Sequence, residues 1–405
     1  MIDLASVTSA RERIQDAVLS TPAVSSPGLR DSLPCDVRLK LENLQRTGSF
    51  KDRGALNRML ALSSDEKRLG VVTASAGNHA QAVAYHGARL GIPVEVVMPE
   101  HTPLIKVSNT RRFGAGVRFH GSTLSDSMVE ARRIESDERR TLIHAYDDDL
   151  VIAGQGTIGL ELLEQVPDLT AVVVPIGGGG LVAGIAVAIK ERRPDVRIFG
   201  VEATAAASAL ASRNAGQIVR IETSETIADG IAVKAPGERT FPIIERYVDD
   251  IVAVDEDQLA AAVHLLLERQ KILAEGAGAA SMAALMAESI PLRESDVTAA
   301  IVSGGNIDLN LLERIIDRGL VSDGRLARLV VAVPDRPGQL ASLTEVVARA
   351  GANVLEVSHS RAFANISMRD VEIDLHLETR GRDHVAEIVA ILEENGFGVT
   401  RKSDW

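Results

Sequence analysis

Four consecutive glycines, Gly177 to Gly180, sit between the apolar stretches "AVVVPI" and "LVAGIAVAIK". The first stretch has the length and β-branched content of a buried strand, and the second reads as a helix buried in a core. Glycine loses more conformational freedom on folding than any other residue, so four in a row are costly unless the backbone must approach something closely. Backbone N–H groups at a helix start, backed by the positive end of the helix dipole, make a cradle for an anion. The loop lacks the lysine and hydroxyl of a Walker A sequence. No Gly-x-Gly-x-x-Gly with a downstream acidic residue accompanies it, so nucleoside triphosphates and NAD are disfavoured. One phosphate monoester fits.

The surrounding pattern is α/β. "GVVTAS" (70–75), "VEVVMPE" (94–100), "GVRFHG" (116–121), "AVVVPIG" (171–177), "RIFGVEA" (197–203) and "VTAAIVSGG" (297–305) read as strands. Helical spacing over 80–91, 125–140, 181–193 and 256–270 separates them, which predicts an open, mainly parallel sheet. Near residue 320 the pattern changes. "DRGLVSDGRLAR" (317–328) is polar and glycine-bearing, so 321–328 is expected to be a linker. A strand at 329–334 follows, then a helix over 337–351 with Leu340, Leu343, Val346, Val347 and Ala350 on one face. Strands at 353–361 and 370–380, a second helix carrying Val385, Ile388, Val389 and Leu392, and a strand at 397–403 complete a βαββαβ ferredoxin-like order.

Three more stretches bear on chemistry. In "TASAGNHAQ" a strand ends in small polar residues and a helix begins near His79, which puts Ser75, Gly77 and Asn78 where open α/β sheets bind ligands. Alone it reads as a helix cap in a turn. "AIVSGGNIDL" ends a strand at Ser303 and then turns, and "SFKDRGA" carries Lys51 between Phe50 and Asp52. As an isolated seven-mer the latter is a solvated lysine, with Arg53 adding local basicity and Asp52 expected to point to solvent. Together the four stretches supply a phosphate cradle, an amide for a ring hydroxyl, a nest of carboxylate size, a strand-end hydroxyl and an amine. That is the set required by pyridoxal phosphate, whose Schiff base needs a lysine.

The stretches "LENLQRTGSFKDRGA" (41–55), "SAGNHAQ" (75–81), "GQGTIGLE" (154–161), "PIGGGGL" (175–181), "ETIADGIAV" (225–233) and "SGGN" (303–306) closely resemble, in order, those of the threonine dehydratase (threonine ammonia-lyase) family. These are fold-type-II pyridoxal phosphate enzymes of the tryptophan-synthase-β-like group. "VAVPDRPGQLASLTEVVARAGANVLEVSHSR" resembles the ACT regulatory domain. The resemblance implies two open twisted parallel-sheet subdomains over residues 1–320, the smaller at about 48–146 inserted in the larger, and an ACT domain over 329–405.

It also implies residue roles. Lys51 forms the Schiff base with Phe50 against the pyridine ring. Asn78 meets the ring hydroxyl, Gly177, Gly178, Gly179, Gly180 and Leu181 hold the phosphate, and Ser303 meets the ring nitrogen. Ser75, Ala76, Gly77, Asn78 and His79 receive the substrate carboxylate. The implied reaction is β-elimination from L-threonine to 2-oxobutanoate and ammonia, or from L-serine to pyruvate, with the freed Lys51 amine as general base. Hydroxyaspartate dehydratase, serine racemase, or an amino-acid sensor with a non-catalytic lyase half are the alternatives. Related racemases carry a serine where this chain has Ala76, which disfavours racemisation. Relatives that bind a divalent metal pair a Glu with an Asp six residues on. Here Glu202 is followed by Ser208, so no metal is expected. In the ACT region, Gly338, Asn353 and Val354 stand where an effector, isoleucine or valine, is implied, across the interface of a homodimer or homotetramer.

Composition narrows the partners. A formal charge of −12 opposes nucleic acid or an anionic membrane as the main partner. The single cysteine, Cys35, precludes an internal disulfide and is expected to be a small buried side chain. No window offers about 18 uncharged apolar residues, and the N-terminal segment reads as an amphipathic helix, so a cytoplasmic protein is expected.

Overall fold

The computed structural model describes residues 1–26, 28–29, 33, 35–360 and 369–401. The chain divides into two compact units, 1–307 and 308–405. Fourteen strands are found among the described residues: β1 Ala23–Ser25, β2 Asp36–Leu41, β3 Val71–Ala74, β4 Val94–Met98, β5 Gly116–Phe119, β6 Thr141–Leu142, β7 Ala171–Pro175, β8 Arg197–Ala203, β9 Asp250–Val254, β10 Val297–Val302, β11 Leu326–Pro334, β12 Asn353–Ser360, β13 Asp370–Glu378 and β14 Gly398–Arg401.

The first unit holds two sheets. The larger runs β1-β2-β10-β7-β8-β9 and is parallel except for the antiparallel edge strand β1. The smaller runs β5-β4-β3-β6 and is wholly parallel. Every residue of β7 and of β3 is buried, which explains their unbroken apolar or small composition. Each sheet has its own core. One gathers Val172, Val174, Ile185 and Ile301, and the other Val71, Val83, Val96 and Met98. The helices Asp149–Gln165 and Gly180–Lys190 approach so closely that a Cβ on Gly184 would lie 2.3 Å from the Ile152 carbonyl oxygen.

The second unit is a four-stranded antiparallel sheet of order β12-β13-β11-β14, the ferredoxin-like arrangement. Its core takes the alternate residues Val371, Ile373, Leu375 and Leu377 together with Leu343, Val346, Val347, Ile388 and Leu392. Leu340 does not join them; it is 42% exposed. The helix starts at Gln339 behind Gly338, later than the periodicity suggested, which leaves Leu340 on the rim of its first turn.

Residues 321–328 are not a linker. The helix Leu309–Ser322 runs into a turn at Asp323 and Gly324, and β11 begins at Leu326. Asp317, Arg318 and Gly319 gave the end of that helix the look of a linker, although the helix as a whole is half apolar and buries Ile315. Arg361 and residues 402–403, the expected ends of two strands, lie outside the described residues.

Candidate active site

Three strand ends converge in the first unit. β3 ends at Ala74 and leads into Ser75–Gly77; β7 ends at Pro175 and leads into the glycines; β10 ends at Val302 and leads into Ser303. These are the carboxyl ends of parallel strands, the common ligand face of open α/β sheets.

"SFKDRGA" turns out to be a helix start. Lys51 is the first residue of the helix Lys51–Leu60, with Phe50 as its N-cap in αR geometry. The segment ahead of it is pinned to the end of β10. Ser49 and Gly304 form an antiparallel bridge, the Phe50 N–H donates to the Ser303 carbonyl at 3.1 Å, and the Gly305 N–H donates to the Gly48 carbonyl at 2.9 Å.

Lys51 is half-buried. Its Nζ donates to the Ala145 carbonyl at 2.8 Å and lies 5.0 Å from the centre of the Phe50 ring. Burial pulls its pKa down to about 8 against an upward push from Glu275. At pH 7 roughly a tenth of the amine is therefore unprotonated, far more than for an ordinary lysine, as a nucleophile or base requires. The rate at which cofactor-free protein captures pyridoxal phosphate is expected to rise with pH and level off above about 8. Stopped-flow absorbance measures it; levelling only above about pH 10 would be the behaviour of an ordinary lysine.

Tyr146 follows the Lys51 acceptor by one residue and links it to the glycine loop. Cβ atoms on Gly178 and Gly180 would fall 2.3 and 3.0 Å from Tyr146 atoms. On the other side, Thr240 Oγ1 and the Gly237 N–H donate to the Gly178 carbonyl at 2.7 and 3.1 Å. Gly179 caps the helix Gly180–Lys190 with φ of +92°, a backbone region glycine favours, and among the described residues no side-chain cap hydrogen bond is made there. The first helix N–H groups are thus left to an anion.

Asn78 begins the helix Asn78–Leu90, and its amide joins Asn306 at 2.8 Å and Glu275 at 2.6 Å. Ser303 is 3% exposed, and its hydroxyl has a long 3.4 Å contact with the Ala277 carbonyl. The structure therefore brings Phe50, Lys51, Asn78, Ser303 and the glycine loop together through direct contacts or shared partners. Leu181 follows in the first turn of the loop's helix. An uncapped glycine cradle, a lysine of lowered pKa and a buried hydroxyl with spare capacity fit pyridoxal phosphate.

Ser75, Ala76 and Gly77 form the loop before Asn78, where the Gly77 N–H reaches Ser75 Oγ at 3.3 Å. The His79 side chain is engaged elsewhere. Burial, helped by the Lys51 charge, pushes its pKa down to about 3. The ring is neutral, and since a carbonyl only accepts, Nε2–H donates to Ile143 O at 3.0 Å.

Two expectations around Lys51 fail. Asp52 does not point to solvent: it is 1% exposed and accepts from the Thr47 N–H and hydroxyl at 2.9 and 2.8 Å. Nor does Arg53 make the site basic. It is fully buried between Glu42 and Glu161, which consume its charge. Glu202 is spent as a helix cap, accepting from the N–H groups of Ala209 and Leu210 at 2.8 Å each. Cys35 is buried beside Thr298, as expected of a small apolar side chain.

Glu275 and Tyr146 were not foreseen. The signal for Glu275 was a lone carboxylate inside "AEGAGA", among residues otherwise small and apolar.

Residues 14–304 match the family model described as "Pyridoxal-phosphate dependent enzyme". The chain is 44% identical over 399 residues to the L-threonine ammonia-lyase of Thermotoga maritima, covering 98% of this chain and 99% of that one. Among solved structures, the processed form of threonine deaminase isoform 2 from Solanum lycopersicum aligns with a TM-score of 0.73 and 37% identity, over 78% of this chain and 86% of its own. The serine racemase of Dictyostelium discoideum aligns with a TM-score of 0.72 and 35% identity, over 76% of this chain and 99% of its own. With the site geometry, these matches place the chain in the family of pyridoxal-phosphate dependent enzymes.

Proposed function

We propose that this protein is a threonine ammonia-lyase, converting L-threonine to 2-oxobutanoate and ammonia and L-serine to pyruvate and ammonia. The observation that carries it is the Lys51 amine, of lowered pKa, joined through Ala145 and Tyr146 to an uncapped glycine cradle. Pyridoxal phosphate, when bound, supplies an electron sink for the pair left at the substrate Cα. Gly177 to Gly180 and Leu181 would hold its phosphate, Phe50 would lie against its ring, and Asn78 and Ser303 would meet its ring oxygen and nitrogen.

The chain's own residues supply the rest. Lys51 Nζ takes the Cα proton as general base. The Ser75–Gly77 loop, with the N–H groups starting the next helix, binds the substrate carboxylate and so fixes which face of Cα meets Nζ. The β-hydroxyl departs as water, its extra proton balanced by the one Lys51 Nζ took from Cα, and a water molecule hydrolyses the resulting enamine, so one threonine gives one 2-oxobutanoate and one ammonia. Ala76 offers no proton from the opposite face; it packs against the core of the smaller sheet. Elimination is thereby favoured over racemisation. Incubation with L-threonine, L-serine, D-serine and β-hydroxyaspartate, followed by chiral product analysis, tests this. 2-Oxo acids should form from the first two, and accumulation of D-serine from L-serine would overturn it.

The second unit is proposed to bind isoleucine or valine as an ACT domain, in a homodimer or homotetramer. Gly338 caps the helix Gln339–Arg349 with φ of +93° and nothing within 4 Å of an added Cβ, so a ligand could approach its backbone. Asn353 and Val354 begin the edge strand β12, with Asn353 Nδ2 held at 3.1 Å by Glu378. Leu340, Leu355 and Val357 are 42%, 54% and 39% exposed, apolar surface that a second copy would cover. Titration of the full chain with each amino acid, followed by calorimetry and sedimentation, is expected to show binding to an oligomer. A monomer that binds neither would overturn this regulatory reading and leave the lyase reading intact.

A further inference from the structure

The Asn78 amide is held at both ends, by Asn306 and by Glu275. The Thr47 carbonyl can only accept, and Asn306 Nδ2 donates to it at 2.7 Å. This identifies the nitrogen of the Asn306 amide, and the same nitrogen donates to Asn78 Oδ1 at 2.8 Å. At the other end, Asn78 Nδ2 donates to a carboxylate oxygen, Glu275 Oε1, at 2.6 Å. Two independent acceptors, a carbonyl and a carboxylate, therefore require the same orientation of the Asn78 amide.

The backbone is shaped around this contact. A Cβ on Gly304 would lie 2.4 Å from Glu275 Oε1 and 3.1 Å from Asn78 Nδ2. The Glu275 N–H in turn donates to the Gly304 carbonyl at 3.1 Å, tying the carboxylate's residue to the end of β10. Asn78 has its oxygen in use and one of its two N–H bonds spent. A single N–H is left.

We infer that Asn306 and Glu275 are positioning residues: they lock the Asn78 amide so that its one remaining N–H is offered to the ring oxygen of pyridoxal phosphate, which favours the ionised form of that oxygen. The inference rests on the reading of Asn78 as the ring-oxygen partner. A phenol O–H would need an acceptor, and the Asn78 oxygen is already engaged by Asn306. An ionised oxygen needs donors, and a donor that cannot rotate into an acceptor meets that need without reorganisation.

The test uses Asn306→Ala, at an exposed position, and Glu275→Leu, which keeps the approximate size but offers no acceptor to Asn78, each in the full chain and in the Asn78→Ala background. Equilibrium dialysis reads the Kd for pyridoxal phosphate, and absorbance reads the pH midpoint of the bound-cofactor band. Each single substitution is expected to weaken binding about three- to tenfold, the scale of one hydrogen bond. In the Asn78→Ala background the same changes should cost less than about twofold, because their effect passes through Asn78. Asn306→Ala should also raise the midpoint by about one pH unit. Losses of equal size in both backgrounds, or an unmoved midpoint, would overturn the inference. A wild-type chain that bound no pyridoxal phosphate would refute the cofactor reading itself, before any variant is made.

Discussion

Replacing Lys51 by Ala is expected to lower kcat/KM for threonine by at least about a thousandfold and to abolish the covalent absorbance of the bound cofactor. General-base removal alone is worth about 10²–10⁴ in rate, and here the same amine is also the covalent attachment point. The fold should survive. Lys51 makes one hydrogen bond, to a main-chain carbonyl, and begins its helix instead of filling a core. Far-UV circular dichroism and thermal melting should be nearly unchanged while turnover disappears. Dehydratase activity within about tenfold of wild type would mean that the proton leaves Cα by another route.

Arg53→Ala is expected to do the reverse, acting first on stability. Arg53 Nε and Nη2 donate to the two Glu42 oxygens at 2.8 Å each. Its Nη1 and Nη2 donate to the two Glu161 oxygens at 2.6 and 2.9 Å. Lys40 Nζ adds a contact to Glu161 Oε2 at 2.5 Å. Two cations and two carboxylates thus balance in a space from which water is nearly excluded. Burial works against the charge on Arg53, but Glu42 and Glu161 outweigh it and hold its pKa above the ordinary value. For Glu42, burial is likewise outweighed by Arg53, which leaves that carboxyl below its ordinary value.

Removing Arg53 strands the carboxylates beside a single amine and should cost about 3–5 kcal/mol, the scale for breaking a buried pair. The pH dependence has a definite sign. In the wild type the Glu42 contribution is full above the unfolded carboxylate pKa of about 4.3 and is lost as pH falls further. In the variant Glu42 has lost that stabilisation and takes up a proton more readily. The deficit should therefore be largest near neutrality and shrink as pH falls toward and through the unfolded carboxylate pKa. Urea melts across pH check this; a deficit under about 1 kcal/mol at pH 7 would show that the network contributes little.

The legible parts of the sequence were those whose cause is local. Buried parallel strands declare themselves by apolar runs, as in β7. The glycine loop shows because four glycines have no cheaper explanation than close approach of the backbone. What escaped depends on partners distant in sequence. "KDR" looks like a solvated charge cluster, yet Glu161 lies 108 residues from Arg53, and Asp52 turns inward to Thr47 and the buried His86. Glu275 meets Asn78 across 197 residues, and no periodicity marks such a contact. The end of the helix Leu309–Ser322 was hidden by Asp317, Arg318 and Gly319, which with the polar residues that follow have the composition of a linker. Lys51, Asn78 and Ser303 could be singled out by their stretches, but the contacts that bring them together could not.

The most direct test incubates the purified full chain, loaded with pyridoxal phosphate, with L-threonine and follows 2-oxobutanoate and ammonia together. The two should appear in equal amounts with the wild type, and neither should appear with Lys51→Ala. Threonine recovered unchanged or with inverted Cα in the presence of bound cofactor, or equal product from both chains, would contradict Lys51-dependent β-elimination.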